Sequence, residues 1–149
     1  MRKTMFLFII VMTWALDVYA ADEGMTFARL FDKVAAIERF EVLDIQGGDM
    51  GFPTDIGEGK MAIHPNATPR EEIVSLISSL PEGSLVYDST DEDGRFDRIF
   101  IEDGTSLLYV HVASGTGDTV VILFTDGNKQ CIHDFIDRIN KELSQQKSR

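Results

Sequence analysis

This 149-residue chain predicts an α+β domain, an antiparallel meander of about five or six strands with about three amphipathic helices packed mainly on one face. Three observations carry that expectation. Residues 84–124 hold four β-forming runs separated by short turns rich in Asp and Gly, connections too brief for the crossover that a parallel return needs. The last run, Thr119–Phe124, is apolar on both faces and belongs inside a sheet. Apolar residues recur at helical spacing in three other segments, giving the order α–β–β–α–β–β–β–β–α.

Taken in order, residues 1–20 have the three parts of a secretory signal peptide: Arg2 and Lys3, the apolar run Met5 to Leu16, and Val18-Tyr19-Ala20 with small residues at its outer positions. Cleavage is expected after Ala20, leaving 21–149 as a single domain exported to the periplasm or the extracellular space. The apolar run is 12 residues long, against the roughly 20 that a membrane-spanning helix needs, so no integral membrane segment is expected after cleavage.

Thr26 can cap a helix whose Phe27, Leu30, Phe31, Val34 and Ile37 share one face. Phe40–Ile45 alternates as an edge strand. Gln46–Gly59 is the least regular segment, with five glycines and Pro53, and its Met50, Phe52 and Ile56 either tuck beneath it or form a small exposed patch that contacts a partner. Its Asp49, Asp55 and Glu58 would oppose a phosphate. Lys60–His64 reads as a short strand. Thr68-Pro69-Arg70-Glu71 has the pattern of a capped helix start, with Ile73, Val74, Leu76, Ile77 and Leu80 following. Asn66-Ala67-Thr68 matches the N-glycosylation pattern.

In the meander, Ser84–Thr90 turns at Asp91-Glu92-Asp93-Gly94 into Arg95–Glu102, and Asp103-Gly104 turns that run into Ser106–Val112. There Leu107, Tyr109 and His111 alternate against Leu108, Val110 and Val112. The final helix begins near Asn128, with Cys131, Ile132, Phe135, Ile136, Ile139 and Leu143 on its apolar stripe, and Ser144–Arg149 reads as a polar tail.

Composition narrows the function classes. A net charge of −11 repels nucleic acid and anionic lipid surfaces, so neither is an expected partner. With Cys131 as the single cysteine, no intramolecular disulfide forms. As a nucleophile Cys131 would need a base in reach and a lowered pKa, and its apolar neighbours argue against that. His64, His111 and His133 lack the spacing of paired zinc ligands.

Asp91, Asp93 and Asp97, with Gly94, come nearest to a calcium motif. Counting Ser89 as first, they fall at loop positions 3, 5 and 9 with glycine sixth, but position 12 is Phe100 and the bidentate closing carboxylate is missing. Ca²⁺ binding by this turn is therefore the alternative to a plain acidic hairpin, with no other cofactor expected. A hydrolase using an acidic pair is the second alternative, although no spacing selects the pair.

The leader, the helix Phe27–Lys33, the strand Phe40–Ile45, the mid-chain helix, the strand pair within Arg95–Val112 and the closing Val120–Phe124 with its short helix together resemble small exported domains of unknown function found in gut Gram-negative bacteria. The resemblance implies an α+β fold and an envelope or secreted location. Members are often lipoproteins, whereas no cysteine follows this leader until Cys131. It implies no activity, cofactor or site residue. The leading expectation is a non-catalytic module that binds an envelope or extracellular macromolecule, through the Gln46–Gly59 loop and an exposed sheet face.

Overall fold

Strand register organises the molecule, which the computed structural model describes over residues 25–147; the expected leader lies outside them. Six strands form one sheet: β1 (Glu41–Gln46), β2 (Glu58–His64), β3 (Leu85–Thr90), β4 (Phe96–Glu102), β5 (Ser106–Val112) and β6 (Thr119–Phe124). Their spatial order is β1-β2-β6-β5-β4-β3, and every neighbouring pair is antiparallel. β3 to β6 run as the expected meander. The β1–β2 hairpin adds to the free side of β6, so β6 ends in the middle of the sheet, as its two apolar faces require.

The two tight turns of the meander use left-handed backbone where the sequence offers residues that tolerate it. Gly94 has φ 91°, and Asp103 and Gly104 have φ 55° and 73°. Gly59 serves a different purpose. A Cβ there would stand 2.6 Å from the Phe124 ring and 2.8 Å from the Leu123 carbonyl, so only glycine lets β2 lie against β6 at that point.

One face of the sheet is covered by α1 (Phe27–Ala35) and α2 (Arg70–Ser78). Phe27, Leu30, Phe31 and Val34 of α1 and Ile73 and Ile77 of α2 pack on Phe96, Phe100, Leu108, Val110, Val112, Val121 and Leu123 of the strands. Each such large side chain, fully removed from water, contributes about 1.5–3 kcal/mol. The Thr26 hydroxyl accepts from the Arg29 N–H at 3.2 Å and starts α1. Arg70 ties α2 to the β3–β4 turn by donating to the Gly94 carbonyl at 2.7 Å, and its guanidinium lies 5.4 Å from the centre of the buried Phe96 ring.

The opposite face receives α3 (Lys129–Lys147) and the segment between β1 and β2, which folds into two single 3-10 turns, Asp49–Gly51 and Thr54–Ile56. Ile132 and Phe135 of α3 join Phe52, Ile56, Ile45, Met61, Ile99, Leu107, Val120, Ile122 and Phe124. Two helices thus cover one face and the third covers the other, because Val120, Ile122 and Phe124 need burial as much as Val121 and Leu123 do. The Asn128 side chain accepts from the Cys131 N–H at 3.0 Å and starts α3.

One local expectation is corrected. Thr68 does not cap α2: its hydroxyl and its N–H both donate to the Asn66 side chain, at 2.6 and 2.9 Å, so the cap residue is spent on a turn of its own. Ser144–Lys147 form the polar end of α3. Among the described residues no helix is long and apolar enough to cross a membrane.

Candidate functional site

Cross-strand register brings chemistry together on the face that carries α3. The partners Glu41, Ile63, Val120, His111, Asp97 and Ser89 form one row across the sheet, and Leu43, Met61, Ile122, Tyr109, Ile99 and Tyr87 form the next. Asp97 and His111 are directly opposed on β4 and β5, and Tyr109 sits diagonally to Asp97. His111 Nδ1 lies 2.8 Å from Asp97 Oδ1, and the Tyr109 hydroxyl donates to the same oxygen. Both bonds fall on Oδ1, and Oδ2 takes no protein donor among the described residues.

The electrostatics follow from the geometry. Burial of the ring, and then the Asp97 carboxylate beside it, push the Tyr109 phenol well above its ordinary pKa. Tyr109 therefore remains a hydrogen-bond donor. The Asp97 and His111 side chains are 31% and 27% exposed, so the pair is reachable from solvent.

Next to Asp97 and Tyr109 lies a pocket of about 400 Å³, within the ordinary size range of small-molecule sites. β4 to β6 supply its floor through Ile99, Tyr109 and Ile122, and Tyr87 of β3 stands at its side. Phe135 and Ile139 of α3 form one wall; Met50, Gly51 and Phe52 form the other. The Phe52 ring is fixed edge-on to Tyr109 (centroids 5.8 Å apart) and Phe124 (4.9 Å), and it is tilted against Phe135 at 5.7 Å. Asp97 is the only charged side chain in the lining. A wider trough of about 550 Å³ beside β1 and α1 is lined instead by charges of both signs, Asp32, Asp44, Glu58 and Lys60.

The connecting segment divides the three residues singled out as a contact patch. Ile56 is fully buried and Phe52 is 7% exposed, whereas Met50 is 61% exposed. Phe52 and Ile56 pin the segment to the sheet, and Met50 is presented to solvent at the pocket's rim. Gly47 and Gly48 close it on itself, their N–H groups donating to the carbonyls of Gly57 at 2.8 Å and Phe52 at 2.9 Å.

The three carboxylates considered for calcium each hold a separate partner. Asp91 is paired with Arg95. Asp93 accepts from the Ser114 hydroxyl at 2.8 Å, and that bond first, then the Arg95 N–H, hold its carboxyl below the usual range. Asp97, two residues into β4, is held by Tyr109 and His111. Among the described residues no group of three or more His, Cys, Asp or Glu side chains is placed to share a metal ion.

The remaining reactive groups have structural surroundings. His64 is 3% exposed, lies 3.1 Å from the Asn66 carbonyl through Nδ1, and stands edge-on to Phe40. His133 pairs with Asp137 on the exposed side of α3. Burial, and then the nearby Asp55 and Asp134 carboxylates, push the Cys131 thiol's pKa up, away from the thiolate that a nucleophile needs.

Sequence reasoning singled out Asp97 for a metal and passed over Tyr109 and His111 as its partners. A signal was present. With Asp103-Gly104 as the turn, counting outward from the Glu102–Ser106 pair sets Asp97 opposite His111. No family model, no curated protein and no solved structure matches the sequence.

Proposed function

We propose that the chain is an exported, non-catalytic recognition domain that engages an envelope or extracellular macromolecule through the sheet face shared by Met50 and the Asp97 row. One observation carries this reading. The β1–β2 segment is anchored by two buried side chains and offers a third, Met50, 61% exposed beside an apolar pocket. A flexible thioether held on a pinned loop suits a contact surface, and it has no evident use in holding the fold.

The test is chemical cross-linking in cells carrying either the native chain or Met50→Asp, with the cross-linked partners compared. A partner trapped by the native chain and lost from the variant, while the variant keeps its thermal midpoint, supports the reading. An identical set of cross-links refutes it. Export is tested separately by cell fractionation and by sequencing the mature N-terminus, where Ala21 is expected.

A second reading takes the Asp97–His111 pair as a general base for hydrolysis, since a carboxylate orients an imidazole in this way in many hydrolases. Neither a hydroxyl nor a thiol is hydrogen-bonded to His111 among the described residues. His111→Ala should then abolish any esterase, peptidase or glycosidase activity that a substrate panel detects. The calcium alternative predicts a higher melting temperature in millimolar Ca²⁺, through selective binding to the folded state.

A further inference from the structure

We infer that the pocket bounded by Met50, Phe52, Tyr87, Tyr109 and Phe135 binds an alkylammonium group, with its charge set against Asp97. The inference rests on reading this face as a recognition surface and names the chemistry of the group recognised there. Four aromatic rings line a cavity of about 400 Å³ whose single charged member is a carboxylate. Aromatic faces carry negative electrostatic potential and attract cations, most effectively where water is displaced.

Asp97 is arranged for this role. The Tyr109 hydroxyl and His111 hold Oδ1 and fix the carboxylate's orientation, and Oδ2 keeps its lone pairs for an incoming donor or positive charge. Because the Tyr109 phenol is held neutral, it adds no second negative charge that would require an inorganic dication. A small hard cation would also find only one carboxylate here, and no other side chain of the lining carries a charge. An anion meets Asp97 and a chain of net charge −11. A neutral apolar guest would cover Oδ2 without offering it a donor or a charge. An ammonium on an apolar stem satisfies both parts of the lining.

The test is an NMR titration of the folded domain with three probes: choline, its uncharged carbon twin 3,3-dimethylbutan-1-ol, and n-butylamine, which reproduces the end of a lysine side chain. Saturable shifts of the Met50 methyl and of the Tyr109 and Phe52 ring signals are expected with one or both cations, in about the millimolar range for groups this small. The neutral twin should bind at least tenfold more weakly. Tighter binding of butylamine than of choline assigns the source to a lysine side chain, and the reverse order assigns it to a quaternary ammonium. Asp97→Asn should weaken the cation at least tenfold. Val74→Ala, on the far side of the sheet, should change nothing.

Equal affinity for choline and its neutral twin overturns the inference, as does the absence of any shift with either cation up to high millimolar concentration. The twin comparison uses the native chain, so it holds even if Asp97→Asn fails to fold. If the cations fail while Met50→Asp still loses its cross-linked partner, the recognition surface stands and only the ligand chemistry is wrong.

Discussion

The two faces of one sheet differ in what their residues are asked to do. Under α1 and α2 the contacts are aliphatic and phenylalanine side chains, with Leu30, Val34, Ile73, Val110 and Val112 fully removed from solvent. Under α3 and the β1–β2 segment the layer is aromatic and interrupted. It holds Tyr87, Tyr109, Phe52 and Phe135, a carboxylate, an imidazole and a pocket. The open trough on the first face, beside β1 and α1, is lined by charges of both signs, whereas the pocket on the second is lined by aromatic rings and one carboxylate. The Asp97–His111 pair sits where packing is unfinished, because a buried carboxylate without partners would be costly and a partly exposed one is not.

The sharpest way to break this comparison is to remove a large side chain from each face in turn. Phe27→Ala, on the α1 side, should lower the stability measured by urea unfolding by about 4 kcal/mol, through lost transfer energy and an unfilled cavity. Phe52→Ala should cost about 2 kcal/mol, because its ring already borders the open pocket and water can enter the space left. Equal losses would show that the two layers are energetically alike.

Tyr109→Phe removes one hydrogen bond to Asp97 and should cost about 1 kcal/mol at neutral pH. It also changes the alkaline limb of the stability curve. The folded phenol's pKa lies above its ordinary value of 10.0. Its contribution is therefore complete below about pH 10 and is lost as pH rises beyond that, where the unfolded chain releases the proton and the folded one retains it. Thermal midpoints above pH 10 should fall less steeply in the Phe variant than in the native chain. Met50→Asp should shift stability by no more than about 0.5 kcal/mol, as for an exposed position that makes no structural contact. A larger loss would mean that Met50 belongs to the core layer rather than to the contact surface.

Much of the fold was legible because local patterns and tertiary need agree. Thr26 caps α1, Asn128 starts α3, and the alternation of Leu107, Tyr109 and His111 with Leu108, Val110 and Val112 predicts which side chain meets which face. Thr68 was misread because Asn66, two residues earlier, competes for its hydroxyl at shorter range than the helix does. The placement of the third helix follows from β6, whose two apolar faces call for cover on both sides. The site was harder to read. Asp91, Asp93 and Asp97 are near neighbours in sequence, yet a strand sends Asp97 away from the turn and toward residues 12 and 14 positions further on. Spacing along the chain describes loops well; a sheet exchanges that spacing for register.

At the outer margin of the sheet, β1 leaves one line of backbone donors and acceptors without a neighbouring strand among the described residues, and Val42 and Leu43 beside it are 46% and 48% exposed. Such a border is a template for a second copy. Glu41 and Asp44 in the same strand, together with the chain's overall negative charge, oppose that pairing at neutral pH. That safeguard weakens as acidity approaches the isoelectric point near 4.6, and border-to-border assembly into ribbons is the failure the molecule is then exposed to.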